Sequence, residues 1–198
     1  MVTIDALPAP LEWAVDPADW KAVDGGLTMT CGPKTDLFAF PGGGYEADNV
    51  PKLLCGVSGD FQFSARVTVE HQATFDAGAL LLWADDRHWT KLAFELSVDG
   101  MARVVSVVTR GLSDDCDSFV VAGTHVWLRI SRIGTMFALH ASVDGTAWTF
   151  VRQFSLDLGT EDVAIGFSVQ SPTGEKCTAG FDDIRFAART LAELRDGS

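Results

Sequence analysis

Between Phe61 and Val69 the chain reads FQFSARVTV. Phe61, Phe63, Ala65, Val67 and Val69 alternate without a break with Gln62, Ser64, Arg66 and Thr68. An unbroken period of two puts one set on each side of an extended strand, so the segment predicts a half-buried β-strand and argues against a helix. Similar short apolar runs follow it: VWLRIS (126–131), MFALHASV (136–143), AWTFVRQF (147–154), VAIGFSVQS (163–171) and GFDDIRF (180–186). GALLLWA (78–84) is apolar throughout, which predicts a strand covered on both faces. Asp-Gly at 99–100 and 144–145, with RIGT at 132–135, supplies the positive φ that hairpin turns require. About ten to thirteen strands joined by tight turns predict an all-β antiparallel sandwich.

Residues 1–26, rich in Pro, Asp and Trp, read as an irregular lead-in packed on the domain, pinned by Trp13 and Trp20. Residues 27–186 form the sandwich, and the tail 187–198 reads as a short helix with Leu191 and Leu194 on one side. One domain suits a chain of 198 residues that is 47% hydrophobic. A net charge of −12 repels phosphate backbones and anionic lipid, so neither nucleic acid nor membrane is an expected partner. The start lacks a basic n-region and an apolar h-region, which predicts a cytoplasmic protein. Cys31, Cys55, Cys116 and Cys177 are widely spaced and read as free thiols.

The segment WTKLAFELSVDGMARVVSVVT (89–109) is a hairpin with an unusual face. A two-residue turn at Asp99-Gly100 pairs Glu95 with Val104, Phe94 with Val105 and Leu92 with Val107. Leu92, Phe94, Val105 and Val107 then face the core. Trp89, Lys91, Ala93, Glu95, Ser106 and Arg110 share the opposite side. On a flat sheet that side is an ordinary solvent face. On a bent one it is a groove, where an exposed indole beside a carboxylate and hydroxyls suits a sugar.

The blocks GDFQFSARVTVEHQATFDAGALLLWADDRHWTKLAFEL, SVVTRGLSDD, WLRISRIG, ASVDGTAW and GFDDIRF keep an order that resembles a bacterial and fungal domain family of unknown function. That family is often labelled "regulation of enolase protein" and belongs to the concanavalin A-like lectin/glucanase superfamily. The resemblance covers about residues 20–186 and implies a jelly-roll sandwich of two antiparallel sheets, one of them concave. It also implies a link to carbohydrate metabolism. The family's recurrent polar positions fall on Asp36, Asp76, Trp89, Lys91, Glu95, Thr109, Ser113 and Asp114. This chain departs from the family pattern at Ala77, at Asp115 and at Val50-Pro51.

Catalysis by paired carboxylates finds little support. The E-x-D-x-x-E string that places acids on one strand face is absent. Glu95 and Asp114 are the weak catalytic candidates, and Lys91 beside Glu95 is expected to hold its pKa down. The acids of SDDCDS (113–118) lack the order of a calcium loop and read as a solvated loop. His71, His88, His125 and His140 are not at ligand spacing. No metal or cofactor is therefore expected. FPGGGYE (40–46) reads as a flexible loop over the groove mouth. The expected ligand is a sugar or small metabolite, bound by Trp89, Lys91, Glu95, Ser106, Thr109, Ser113 and Asp114. The alternatives are a glycoside-processing enzyme using Glu95 with an Asp, or an interaction module whose partner is another protein or a second copy.

Overall fold

The computed structural model describes residues 1–156 and 162–198. Among them are sixteen strands, more than the ten to thirteen predicted, and no helix. They are β1 (Glu12–Val15), β2 (Asp19–Val23), β3 (Gly26–Cys31), β4 (Leu37–Ala39), β5 (Glu46–Asp48), β6 (Lys52–Val57), β7 (Phe61–Val69), β8 (Ala77–Asp85), β9 (His88–Leu96), β10 (Ala102–Arg110), β11 (Leu112–Val120), β12 (His125–Ile133), β13 (Met136–Ser142), β14 (Thr149–Phe154), β15 (Val163–Gln170) and β16 (Cys177–Ala187). One seven-stranded sheet runs β1-β6-β15-β8-β9-β10-β11 and the other β14-β13-β12-β7-β16-β3-β2, with β4-β5 as a separate hairpin. All pairings are antiparallel, and the architecture is the predicted sandwich.

The alternating set of β7 supplies the middle of the core. Phe61, Phe63, Ala65 and Val67 are fully buried, and Phe63 meets Phe167 of the facing sheet edge-on at 5.5 Å. Phe167 in turn packs on Phe181 at 4.8 Å, closing an aromatic chain between the sheets. The continuous apolar run of β8 has the predicted double cover. Leu80 and Leu82 join the inter-sheet core. Ala77, Ala79 and Leu81 join a second apolar cluster on the outer face of the first sheet, with Leu37, Val50, Trp89, Ala93, Val105 and Val107.

Three expectations are corrected here. The first 26 residues are not irregular: β1 pairs with β6 and β2 with β3, so the lead-in extends both sheets. The tail forms turns instead of a helix. Its carbonyls at Leu194 and Gly197 accept from His140 Nε2 (2.8 Å) and Arg129 Nη2 (2.5 Å), partners a helix would compete with for the same groups.

The third correction concerns register. Gly100, at φ +77°, donates to the Ser97 carbonyl at 3.0 Å, while the Ser97 N–H donates to Met101. The loop therefore has three residues, Val98-Asp99-Gly100, with the glycine making a bulge in the left-handed region. The added loop residue shifts the pairing by one: Glu95 faces Arg103, Ala93 faces Val105, Leu92 faces Ser106 and Lys91 faces Val107. Leu92 and Phe94 lie in the core as predicted. Val105 and Val107 move to the outer face, and Ser106 turns inward.

Candidate functional site

Trp89, Lys91 and Glu95 of β9 share the outer face of the first sheet with Thr109, Val107 and Val105 of β10 and with Ser113, Asp115 and Asp117 of β11. Over part of this face lies the segment carrying the β4–β5 hairpin. The hairpin is fastened by the Ala39 N–H, which donates to Ser113 Oγ at 2.9 Å. Ser113 also shares a 2.9 Å hydrogen bond with Thr109 Oγ1. Leu37 and Val50 pack down onto the sheet beside Trp89. A pocket of about 300 Å³ remains, bounded by Asp36, Phe38, Phe40, Phe75, Lys91, Glu95, Val105, Val107, Asp115, Gln170 and Pro172.

A polar cluster forms its floor. Lys91, 3% exposed, donates from Nζ to Gln170 Oε1 at 2.7 Å and lies 3.6 Å from Asp36 Oδ1. Gln170 Nε2 donates to the Phe75 carbonyl at 3.1 Å and reaches Glu95 Oε2 at 3.4 Å. Asp36 accepts from the Tyr45 hydroxyl at 2.9 Å and from the Leu37 N–H at 2.8 Å. Ala77 lies between Gln170 and Glu95 in one row across the sheet, and its methyl group leaves room for them to approach. Phe75 holds φ at +71°, a costly conformation for an aromatic residue, and in it the residue lines the pocket while its carbonyl accepts from Gln170 Nε2.

Burial raises the pKa of Glu95 to about 7. Lys91 pulls it down, while Asp36, Asp117 and Asp115 push it up. This reverses the sequence expectation that Lys91 would keep it low. Desolvation outweighs the single cation because that cation is already shared with Asp36 and Gln170.

The predicted site residues divide into three groups. Lys91 and Glu95 do line the pocket. Trp89 lies on the same face but is only 3% exposed, stacked 6.2 Å from Trp83, so it is not the exposed stacking platform expected. Thr109 and Ser113 face outward too, buried as the anchor of the hairpin. Ser106 and Asp114 are elsewhere. Ser106 points into the sandwich with its hydroxyl unpartnered. Asp114 turns to the other sheet, where Arg152 meets it at 2.7 Å.

The acidic segment is not the predicted loop but the edge strand β11, where neighbouring acids alternate sides. Charged residues on an edge also discourage strand addition by another chain. Asp117 pairs with Arg103 at 3.2 Å, and Asp115 lines the pocket. Among the described residues no group of three or more His, Cys, Asp and Glu is placed to hold a metal ion.

Gln170, Phe38, Phe40, Phe75 and Asp115 are the contributors that sequence reasoning missed. Gln170 ends a strand whose other face is Val163, Ile165, Phe167 and Val169, which marks it as an outward polar residue. The glycine-rich loop at 40–46 does lie at the pocket mouth, where Phe40 is part of the wall.

A family model described as "Protein of unknown function (DUF1349)" matches residues 13–189. The chain belongs to this DUF1349 family. This DUF1349 protein is 30% identical to Regulation of enolase protein 1 from Saccharomyces cerevisiae over 142 residues, 71% of each chain. It superimposes on the crystal structure of a functionally unknown protein from Saccharomyces cerevisiae with a TM-score of 0.83 and 24% identity, covering 90% of this chain and 96% of that one. Two more distant neighbours share the sandwich. The carbohydrate binding module CBM66 from Bacillus subtilis aligns at TM-score 0.57 and 15% identity, covering 88% of this chain and 94% of that one. The GH43 BlXynB protein from Bacillus licheniformis aligns at 0.68 and 13%, covering 88% of this chain and 36% of that one. No helix among the described residues is long and apolar enough to cross a membrane.

Proposed function

We propose that this domain binds a small polyhydroxylated ligand, a sugar or sugar-like metabolite, in the pocket between the β9–β11 face and the β4–β5 hairpin. One observation carries the reading. Phe38, Phe40 and Phe75 wall a pocket of about 300 Å³ whose floor is the Lys91–Gln170–Glu95 cluster. Aromatic walls suit the C–H faces of a sugar ring, and a short row of buried donors and acceptors suits its hydroxyls. The relatives support a role in carbohydrate chemistry: one is named Regulation of enolase protein 1, one is a carbohydrate binding module and one is a GH43 protein. The free thiols of Cys31, Cys55, Cys116 and Cys177 support a reducing compartment such as the cytoplasm.

Thermal-shift and calorimetric screening of mono-, oligo- and phosphorylated sugars tests the proposal. A ligand should raise the melting temperature of the wild type, and Glu95→Gln should remove most of that rise. Equal shifts in both proteins across the whole library would overturn it.

One observation favours a second reading, glycoside processing. A carboxyl that titrates near 7 is poised as a general acid at neutral pH. Its partner on this face would be Asp115, since Asp114 points away. Release of nitrophenol from aryl glycosides, lost in Glu95→Gln, is the expected signature. Binding without turnover leaves the first reading alone.

A further inference from the structure

The charges around the pocket do not cancel. Lys91 is the one cation among its described lining residues, and it is already taken up by Gln170 at 2.7 Å and Asp36 at 3.6 Å. Arg103, directly across from Glu95, is held by Asp99 and Asp117. Glu95 and Asp115 are left on the lining with no ion-pair partner among the described residues. Phe38, Phe40 and Phe75 stand around them. Aromatic faces attract cations, and Lys91 Nζ itself lies 6.0 Å from the Phe38 ring centre. A phosphate or carboxylate entering here would meet two acids without ion-pair partners among the described residues and a lysine whose charge is already offset by Asp36. An ammonium would meet two carboxylates and a π-rich wall.

We propose that the pocket selects small hydroxylated amines, such as amino sugars, over their neutral and anionic relatives, with the ammonium seated against Glu95 and drawn in by the unpaired charge of Asp115 across the pocket. This rests on the reading of the pocket as a site for polyols and adds the charge of the ligand.

A pH dependence follows from the groups that face Glu95. They are Lys91 on its own strand, Arg103 on β10, Asp115 and Asp117 on β11, Gln170 on β15 and Asp36 ahead of β4. Near neutral pH the Glu95 carboxyl is partly protonated. An ammonium favours the ionised form, so binding expels a proton, and affinity for the amine rises from pH 6 to pH 8.

Matched trios built on glucose and on galactose provide the test: the parent sugar, its 6-amino-6-deoxy derivative and its 6-phosphate, titrated calorimetrically at pH 6 and pH 8. At pH 8 the amine should bind at least tenfold more tightly than the parent, and the phosphate more weakly than the parent. The preference should shrink at pH 6, and it should also shrink in Asp115→Asn, where an exposed side chain is changed and folding is not at stake. Parent sugars that bind as well as their amines would overturn the selectivity and leave the polyol reading standing. A phosphate that binds tightest would do the same. If none of the six compounds binds at millimolar concentration, the amine selectivity is overturned, while the polyol reading is decided by the wider sugar library.

Discussion

Lys91 and Gln170 meet at 2.7 Å although β8 runs between their strands. The contact is possible because β8 presents only the methyl groups of Ala77 and Ala79 on the outer face along the diagonal from Gln170 to Lys91. A buried ammonium thereby gains a neutral acceptor beside the carboxylate of Asp36. Gln170→Leu removes that acceptor and leaves Lys91 with Asp36 alone. Stability should drop by about 1–3 kcal/mol, the cost of leaving a buried polar group short of a partner. Urea unfolding should show a lower midpoint at an unchanged slope, and an unmoved midpoint would contradict the contact.

Glu95 should make the protein less stable as pH rises. Its carboxyl titrates at about 7 in the folded protein against 4.5 for an ordinary glutamate, so the folded state holds the proton more tightly than the unfolded chain. Below pH 4.5 both states are protonated and Glu95 costs nothing. Above pH 7 the folded state must carry a buried carboxylate, at a cost on the order of 3 kcal/mol. His71 and His140 act in the opposite sense. Burial lowers both, so their contribution is lost as pH falls below the usual histidine value of 6.5. The difference in stability between wild type and Glu95→Gln, measured from pH 4.5 to pH 8, isolates the glutamate. It should grow in favour of the variant as pH rises, and a flat difference would show Glu95 to be solvated.

Trp89→Ala is a test of folding and not of ligand contact. The indole stacks on Trp83 beneath Leu37, and removing it leaves a cavity under the hairpin. The expected loss is about 3–5 kcal/mol. Calorimetry at a temperature where the variant stays folded should still detect ligand, weakened through the displaced hairpin. Wild-type stability in Trp89→Ala would mean the ring is free to stack on a sugar after all.

Ser113 and Asp114 are neighbours with opposite consequences. Ser113→Ala strips the Ala39 N–H of its acceptor and Thr109 of its partner, for a loss of about 1–2 kcal/mol. Hydrogen exchange at Ala39 should accelerate in that variant. Asp114→Ala breaks only an ion pair whose aspartate is 58% exposed, so its effect should stay below about 1 kcal/mol with Ala39 exchange unchanged. Faster exchange in the second variant would place Asp114 at the hairpin.

The fold was legible because its signals are local. The alternation of Phe61–Val69 reappears residue for residue as β7, and the unbroken apolar run of β8 announced cover on both faces. That same cover extends over the outer face around Leu81, and Trp89 is buried beneath it. The site was harder to read because it depends on pairings far apart in the chain. Gln170 reaches Lys91 only because β15 inserts between β6 and β8, which no spacing within either strand records. Asp114 and Asp115 were confused for a local reason: a loop has no sides, whereas a strand gives consecutive residues opposite ones. The pKa of Glu95 was misjudged because one cation is visible in the sequence and desolvation is not.

The three-residue loop Val98-Asp99-Gly100 has a consequence for inheritance. With β9 fixed by β8, one codon gained or lost there would exchange the two sides of β10. Ser106 would be carried out to the pocket, and Val105 and Val107 would be driven into the space between the sheets. Descendants of this gene can vary freely in what the loop displays, but its length can drift only in steps of two.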